Sequence, residues 1–294
     1  MKNIIGKITE IYDKKYKTLL IFPLIMFILS IAVIGGLYIK TGDFFYKGVS
    51  LKGGTTITAQ TNETVDVDQL KALLIKETGE DVVVRELSTT GTQLGIIVET
   101  TAQIPDKTVE IIKQNVKVST INTETTGPSL GASFFKEAVI AVLIAFVFMA
   151  IVILIYFRNP VTSSYIVLCG LCDILFAWAM TIVLGVKVST AGIAAMLMLI
   201  GYSVDTDILL TTRVLKREGD IFEKVKGALS TGTTMTFAAL AATGIAYLTM
   251  PSDVLRQIML VLFWGLVADL WNTWITNVGL LRLYVEKKNK NVRT

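Results

Sequence analysis

The chain has 294 residues, 52% of them hydrophobic, with a mean hydropathy of +0.61 and a formal net charge of only +4. That balance excludes an ordinary water-soluble domain and points to a polytopic α-helical membrane protein. There is no histidine, and the two cysteines, Cys169 and Cys172, both fall inside an apolar run, so neither a disulfide framework nor the usual transition-metal centre has its residues.

In chain order, Thr18 to Ile39 is the first stretch long enough to cross a bilayer at about 1.5 Å per residue. It is too long for the core of a secretory signal, and no small-residue cleavage site follows it convincingly. It reads as a retained anchor, transmembrane helix 1 (18–39), behind a short cytoplasmic N-terminus at 1–17.

Residues 40–135 differ in character and form an extracytoplasmic α+β domain. Thr55 to Thr61 alternates and is β-branched. Asp66 to Thr78 has helical spacing through Val67, Leu70, Leu73 and Leu74, and Asp81 to Leu87 is a strand. After a turn at Thr89-Thr90-Gly91, Gln93 to Thr100 is a strand, Pro105 to Asn115 a helix and Val116 to Thr123 a last strand. The order β-α-β-β-α-β is the ferredoxin-like pattern, which indicates a compact interaction module and no particular activity. Gly127, Pro128 and Gly131 mark the return to the membrane.

Five further runs, at Ala138 to Phe157, Val161 to Val186, Val188 to Leu210, Ala228 to Thr249 and Ile258 to Leu281, make a five-helix transmembrane bundle over 136–283. With the first helix this gives six transmembrane helices, followed by a cytoplasmic tail at 284–294. Lys and Arg resist translocation. Lys2, Lys7, Lys14, Lys15 and Lys17, then Arg158, then Arg213, Lys216, Arg217, Lys224 and Lys226, and finally Lys287, Lys288, Lys290 and Arg293 all fall on one side. The opposite short loops offer little beyond Lys187 and Arg256, so both termini read as cytoplasmic. The basic clusters therefore set topology, and no nucleic-acid partner is expected.

Four carboxylates lie inside the runs: Asp173, Asp205, Asp207 and Asp269. Intramembrane carboxylates are costly and usually functional. No Lys or Arg lies well inside a span, so each must be protonated, hydrated, hydrogen-bonded or paired with another subunit. By helical rise Asp205 lies roughly 10 Å from the cytoplasmic end of its run, and Asp173 and Asp269 roughly 18 Å from theirs. That stagger would suit a proton relay. Asp205 and Asp207, two residues apart, point to different faces of the helix. Asp205 is the expected coupling residue, with Asp269 and Asp173 as relay members and Asp207, nearer the cytoplasmic interface and open to hydration there, as the weaker fourth candidate. Ser230, Thr231, Thr233, Thr234 and Thr236 cluster at the depth of Asp205, and Ser230, Thr233 and Thr234 are its expected hydrogen-bond partners. Gly192 and Gly201 read as helix-contact residues, and Trp264, Trp271 and Trp274 as core.

An ordered set of motifs resembles the SecF branch of the SecD/SecF family of protein-export membrane proteins, in the style of archaeal members, over nearly the whole length. Gly48-Val49-Ser50-Leu51-Lys52-Gly53-Gly54-Thr55 is similar to the family signature after the first span, keeping Gly53, Gly54 and Thr55 while Ser50 and Leu51 replace the usual Asp and Phe. Gly201, Tyr202, Ser203 and Val204 before Asp205 resemble the fourth-span motif, and Arg213 matches its basic residue. Ser230-Thr231-Gly232-Thr233-Thr234 resembles the start of span five; Val254-Leu255-Arg256 and Trp264-Gly265-Leu266 resemble span six. Bacterial members typically carry Asn-Asp where this chain has Asp205-Thr206, which aligns Asp205 with the fourth-span Asp of the partner SecD.

The resemblance implies a resistance-nodulation-division type of bundle, association with SecD and the Sec translocation channel, and promotion of the export of unfolded polypeptide using the proton-motive force. It implies no enzyme activity and no cofactor or metal. Other readings stay open: a structural scaffold for SecD without ion conduction, or a proton-driven exporter of small solutes or lipids, although such pumps usually carry a duplicated set of spans. An intramembrane aspartyl protease lacks its signatures here, since Asp269 follows Gly265-Leu266-Val267-Ala268.

Overall fold

The computed structural model describes residues 16–61, 63–80, 82–89, 92–101, 105–216, 221–250 and 253–293. Most of the N-terminal basic segment, the turn residues Thr90 and Gly91, and Arg217 lie outside them.

A single turn at Tyr16–Leu19 leads into α1 (Ile21–Thr41), which ends where Gly42 adopts a left-handed φ of 75°. A short turn at Val49–Lys52 precedes β1 (Gly54–Gln60). Then come α2 (Val67–Thr78), β2 (Val82–Thr89), β3 (Thr92–Thr100), α3 (Asp106–Asn115) and β4 (Thr120–Thr126). Asp66 caps α2, its side chain accepting from Asp68 N at 3.0 Å and Gln69 N at 3.1 Å. The sheet is antiparallel throughout, in the order β2-β3-β1-β4. Its inward residues Ile57, Ala59, Val84, Ile96 and Val98 pack on Leu70, Leu74, Ile111 and Ile112 of the two helices.

The last strand is displaced from its expected place at Val116 to Thr123. Pairing with β1 selects Thr120–Thr126, because Gly54 opposes Thr126 and Gln60 opposes Thr120. Val116 instead sits in extended backbone at the end of α3, buried in the domain core.

The helical part begins with α4 (Pro128–Phe157), which starts well before its apolar run because Pro128 occupies the first turn after extended Gly127. Next are α5 (Pro160–Val183), α6 (Thr190–Lys216), α7 (Ile221–Thr249) and α8 (Asp253–Trp271). A π-helical segment, Asn272–Asn277, joins α8 to α9 (Val278–Arg293). The tail expected as a separate segment thus continues this helix. α6 and α8 form the centre: α8 packs on α5, α6 and α7, while α1 packs on α5.

Among the described residues, five helices are long and apolar enough to cross a membrane: Tyr16–Thr41, Ser129–Phe157, Pro160–Val183, Thr190–Leu215 and Val254–Lys287. The run expected at Ala228 to Thr249 lies in α7 but is not among them. Its first half carries Ser230, Thr231, Thr233, Thr234 and Thr236, which lower its hydropathy.

A neck ties the α+β domain to the bundle. Val188 N donates to Tyr46 O at 2.7 Å and Gly48 N to Val188 O at 2.8 Å. Trp178 Nε1 donates to Phe44 O at 3.0 Å. The Gln257 carboxamide at the start of α8 accepts from the Ser189 hydroxyl and donates to Lys187 O. On the domain side Gly53 and Gly54 have φ of 85° and 137°, and the space for a Cβ on Gly54 is taken by Thr100 O. Gly131 lets α4 meet the backbone of Leu51 and Gly53.

Gly54→Ala must therefore strain the first residue of β1 and push it off β3. We expect faster proteolysis within the α+β domain and lower yield of the full chain, whereas Gly79→Ala, at a helix end with open space around it, costs only about 1 kcal/mol. Equal protease resistance of the two variants would contradict the packing at Gly54.

Candidate functional site: a buried carboxylate cluster

α6 presents Ser203, Asp207 and Thr211 to the interior at i, i+4 spacing, all fully buried, with Thr206 and Leu210 beside them. Asp173 on α5 and Asp269 on α8 are also without exposed surface. These three carboxylates meet where α5, α6 and α8 run against the π-helical segment.

Asp173 Oδ1 accepts from Asn272 Nδ2 at 2.6 Å and Oδ2 accepts from the Ser203 hydroxyl at 2.5 Å. Asp207 Oδ1 accepts from Asn277 Nδ2 at 2.8 Å. The Thr273 hydroxyl lies 2.9 Å from Asp207 Oδ1 and 2.8 Å from Asp269 Oδ1. Asp269 Oδ2 accepts from the Thr236 hydroxyl of α7 at 3.4 Å. Cys169 Sγ donates to Asn272 O at 3.5 Å. Asp207 Oδ2 and Asn277 Oδ1 are buried without a hydrogen-bond partner.

The π turn explains why one helix serves all three carboxylates. At 100° per residue Asn272 and Asn277 would stand about 140° apart on an α-helix. The wider π turn, bonded i to i+5, narrows that separation to roughly 50°, so Asn272 and Asn277 share a face with Thr273. Each buried Asp thus bonds a side chain of this six-residue segment.

The ion pairs formed among the described residues are Lys47–Asp43, Arg85–Glu99, Lys117–Glu63 and Lys226–Glu223, all away from these carboxylates. Burial of an uncompensated charge is costly, so hydroxyls, amides and bound protons must carry the compensation. The cluster has no group of side chains suited to hold a metal ion among the described residues.

The sequence-based expectations need correcting at several points. Asp207 is not a hydrated interfacial side chain; it has no exposed surface and anchors the centre of the cluster. Asp205 is exposed on the outer face of α6, one turn from Gly201 and beside half-exposed Tyr202. Ser230, Thr233 and Thr234 do not bond Asp205. The Thr233 hydroxyl donates to Leu229 O and that of Thr234 to Ser230 O, both within α7. Gly201 faces open space, and a Cβ there would meet nothing within 4 Å among the described residues, so it is not the helix-contact glycine expected.

Other motif residues have roles in the scaffold. Arg213 donates to Gly227 O and, at 3.0 Å, to Thr231 Oγ1, joining α6 to α7. Trp271 packs edge-on against two rings, with centroids 5.8 Å from Phe22 and 4.9 Å from Phe176. Gly232 admits the Trp274 ring, which would otherwise meet a Cβ. Asn272, Thr273 and Asn277 were not anticipated. Their signal was present in the spacing Asp269, Thr273, Asn277 at i, i+4, i+8, parallel to Ser203, Asp207, Thr211.

These features define a multi-pass helical membrane protein with one α+β domain and a polar cluster sealed inside its bundle. Its sequence places it in a known group. The family model described as protein export membrane protein SecD/SecF, C-terminal, matches residues 107–287. A protein-export membrane protein SecF from Pyrococcus furiosus is 37% identical over 96% of this chain and 95% of its own length. Another from Methanocaldococcus jannaschii is 40% identical over 92% of this chain and 96% of its own. The chain belongs to the SecD/SecF family of protein-export membrane proteins. In fold it is similar to the crystal structure of SecDF, a translocon-associated membrane protein from Thermus thermophilus, with a TM-score of 0.76 at 20% identity. That match covers 92% of this chain and 38% of the longer SecDF chain.

Asn272→Leu keeps the volume but removes a donor to buried Asp173, so we expect a loss of about 2 kcal/mol, read as earlier thermal unfolding in detergent. Adding Asp173→Asn should recover part of that loss, since the unsatisfied carboxylate is then gone. Additive losses in the double variant would contradict the contact.

Proposed function

We propose that the chain promotes protein export as the SecF-type partner of a SecD subunit at the Sec translocation channel, with the cluster of Asp173, Asp207 and Asp269 coupling that work to the proton-motive force. The observation that carries the reading is the burial of three carboxylates whose hydrogen-bond partners are the hydroxyls and amides of Ser203, Asn272, Thr273 and Asn277. Such a site can exchange protons without dismantling an ion pair. The buried position makes each protonation change a change in interhelical bonding.

In this reading the chain crosses the membrane six times, α7 included, with both termini cytoplasmic. The α+β domain is extracytoplasmic and ferredoxin-like; its order β2-β3-β1-β4, with one helix on each crossover, supports that description. It handles the unfolded exported polypeptide. The neck at Val188, Gln257 and Gly48 transmits helix movement to it. No covalent step, cofactor, metal or nucleic acid enters. One charge crossing 100 mV gains only about 2.3 kcal/mol, so large substrate movements need several protons. Asp205, exposed on α6, faces the partner subunit, which supplies what this chain does not.

The hydrogen bonds that hold every buried Asp also fit a scaffold that conducts no ions. Export into membrane vesicles, with and without a protonophore, separates the two. Coupling predicts that Asp207→Asn and Asp269→Asn assemble with the partner but lose the protonophore-sensitive part of export, a fall of roughly tenfold or more. Full protonophore-sensitive export by both variants would leave only the scaffold.

A further inference from the structure

Counting donors in the cluster gives more than burial does. A hydroxyl has one hydrogen, and two short O···O contacts each need one. The Thr273 oxygen is 2.9 Å from Asp207 Oδ1 and 2.8 Å from Asp269 Oδ1. The Asn277 amide nitrogen, 2.8 Å from the same Asp207 Oδ1, can only donate. Asp207 Oδ1 is therefore an acceptor twice over, and Thr273 spends its hydrogen there. The contact between Thr273 and Asp269 then takes its hydrogen from Asp269.

We propose that Thr273 is a proton-relay residue between Asp269 and Asp207, and that Asn277 biases the relay by keeping the resting proton on Asp269. The proposal rests on the coupling reading above and specifies how that site works. In the relay step the Asp269 O–H breaks as its proton passes to Thr273 Oγ1, and the Thr273 O–H breaks as its own proton passes to Asp207 Oδ1. Two O–H bonds break and two form. Asp269 ends as the carboxylate, Asp207 as the neutral acid, and the net charge is unchanged. Asp207 Oδ2 is buried without a partner, so rotation of the neutral carboxyl carries the new O–H from the Oδ1 position into that space, from which the proton leaves on the other side.

Once Asp207 Oδ1 carries the proton, the Asn277 amide loses much of its acceptor, so the step costs part of one hydrogen bond and reverses readily. Asn277 reaches Asp207 from the π-helical segment, so the same geometry that shares a face among Asn272, Thr273 and Asn277 fixes where the proton rests. The ionisable groups around the relay are Asp173, Cys169 and Cys172 of α5, with Asp207 of α6 and Asp269 of α8. α7 contributes the neutral Thr236.

Infrared difference spectroscopy of the full chain, reconstituted with its partner subunit, reads the carbonyl stretch of a protonated carboxyl directly. At neutral pH we expect a band that disappears in Asp269→Asn and persists in Asp207→Asn. Thr273→Val should shift that band and cut proton-dependent export by roughly tenfold or more, while Thr273→Ser, which keeps the hydroxyl, restores both to within about twofold. Asn277→Leu should divide the band between the two carboxyls. A band that persists in Asp269→Asn, or one unmoved by Thr273→Val in protein that still binds its partner, would overturn the relay. If the band behaves as expected but wild-type export ignores the protonophore, the relay assignment stands and the coupling to export falls.

Discussion

Three carboxylates share the interior of a helical bundle that supplies them with hydroxyls and amides in place of cations. An isolated ionised carboxylate in such a medium is too costly to keep, so each must be hydrogen-bonded, protonated, or both. This requirement shapes the surrounding helices. Ser203 and Thr211 flank Asp207 on α6, Thr236 approaches from α7, and the chain departs from α-geometry for one π segment so that Asn272, Thr273 and Asn277 all turn inward. Gly232 and Gly265 let the central helices close around the cluster, because a Cβ at either would strike Trp274 or Leu199.

The rest of the molecule connects that centre to the outside. α8 is common to both ends: its first turns carry Gln257, which holds the loop at Lys187 and Ser189, and its last carry Asp269. That loop exchanges backbone hydrogen bonds with the neck of the α+β domain through Val188, Tyr46 and Gly48. A change in bonding at Asp269 can therefore reach the domain along one helix and one clasp. Interfaces of this kind are bistable, because close packing resists gradual deformation.

The architecture was largely legible in the sequence. Charge-free runs mark the five helices long and apolar enough to cross a membrane, the sixth run lying in a helix that falls short of that hydropathy, and alternation and helical spacing mark the strands and helices of the α+β domain in their observed order. Helix starts were less legible. Pro128 and Asn159 set them by capping, upstream or downstream of where hydrophobicity changes. The strand at Thr120–Thr126 depends on its register with β1, a long-range constraint that no local window contains. The carboxylates themselves could be named, but their ranking could not be read from depth along a helix. Depth does not say which face is inside; the stripe of Ser203, Asp207 and Thr211 does, and it excludes Asp205. The π segment had no propensity signal at all, since its six residues fit an α-helix equally well.

The central claim is that protons reach the work of export through the buried cluster and not through the exposed Asp205. Proteoliposomes holding the full chain with its partner subunits and the translocation channel, loaded with a pH-sensitive dye, measure it most directly. With a proton gradient imposed, the account predicts that translocation is accompanied by a luminal pH change that is lost in Asp207→Asn and retained in Asp205→Asn. Retention of the pH change in Asp207→Asn, with its loss in Asp205→Asn, would contradict it.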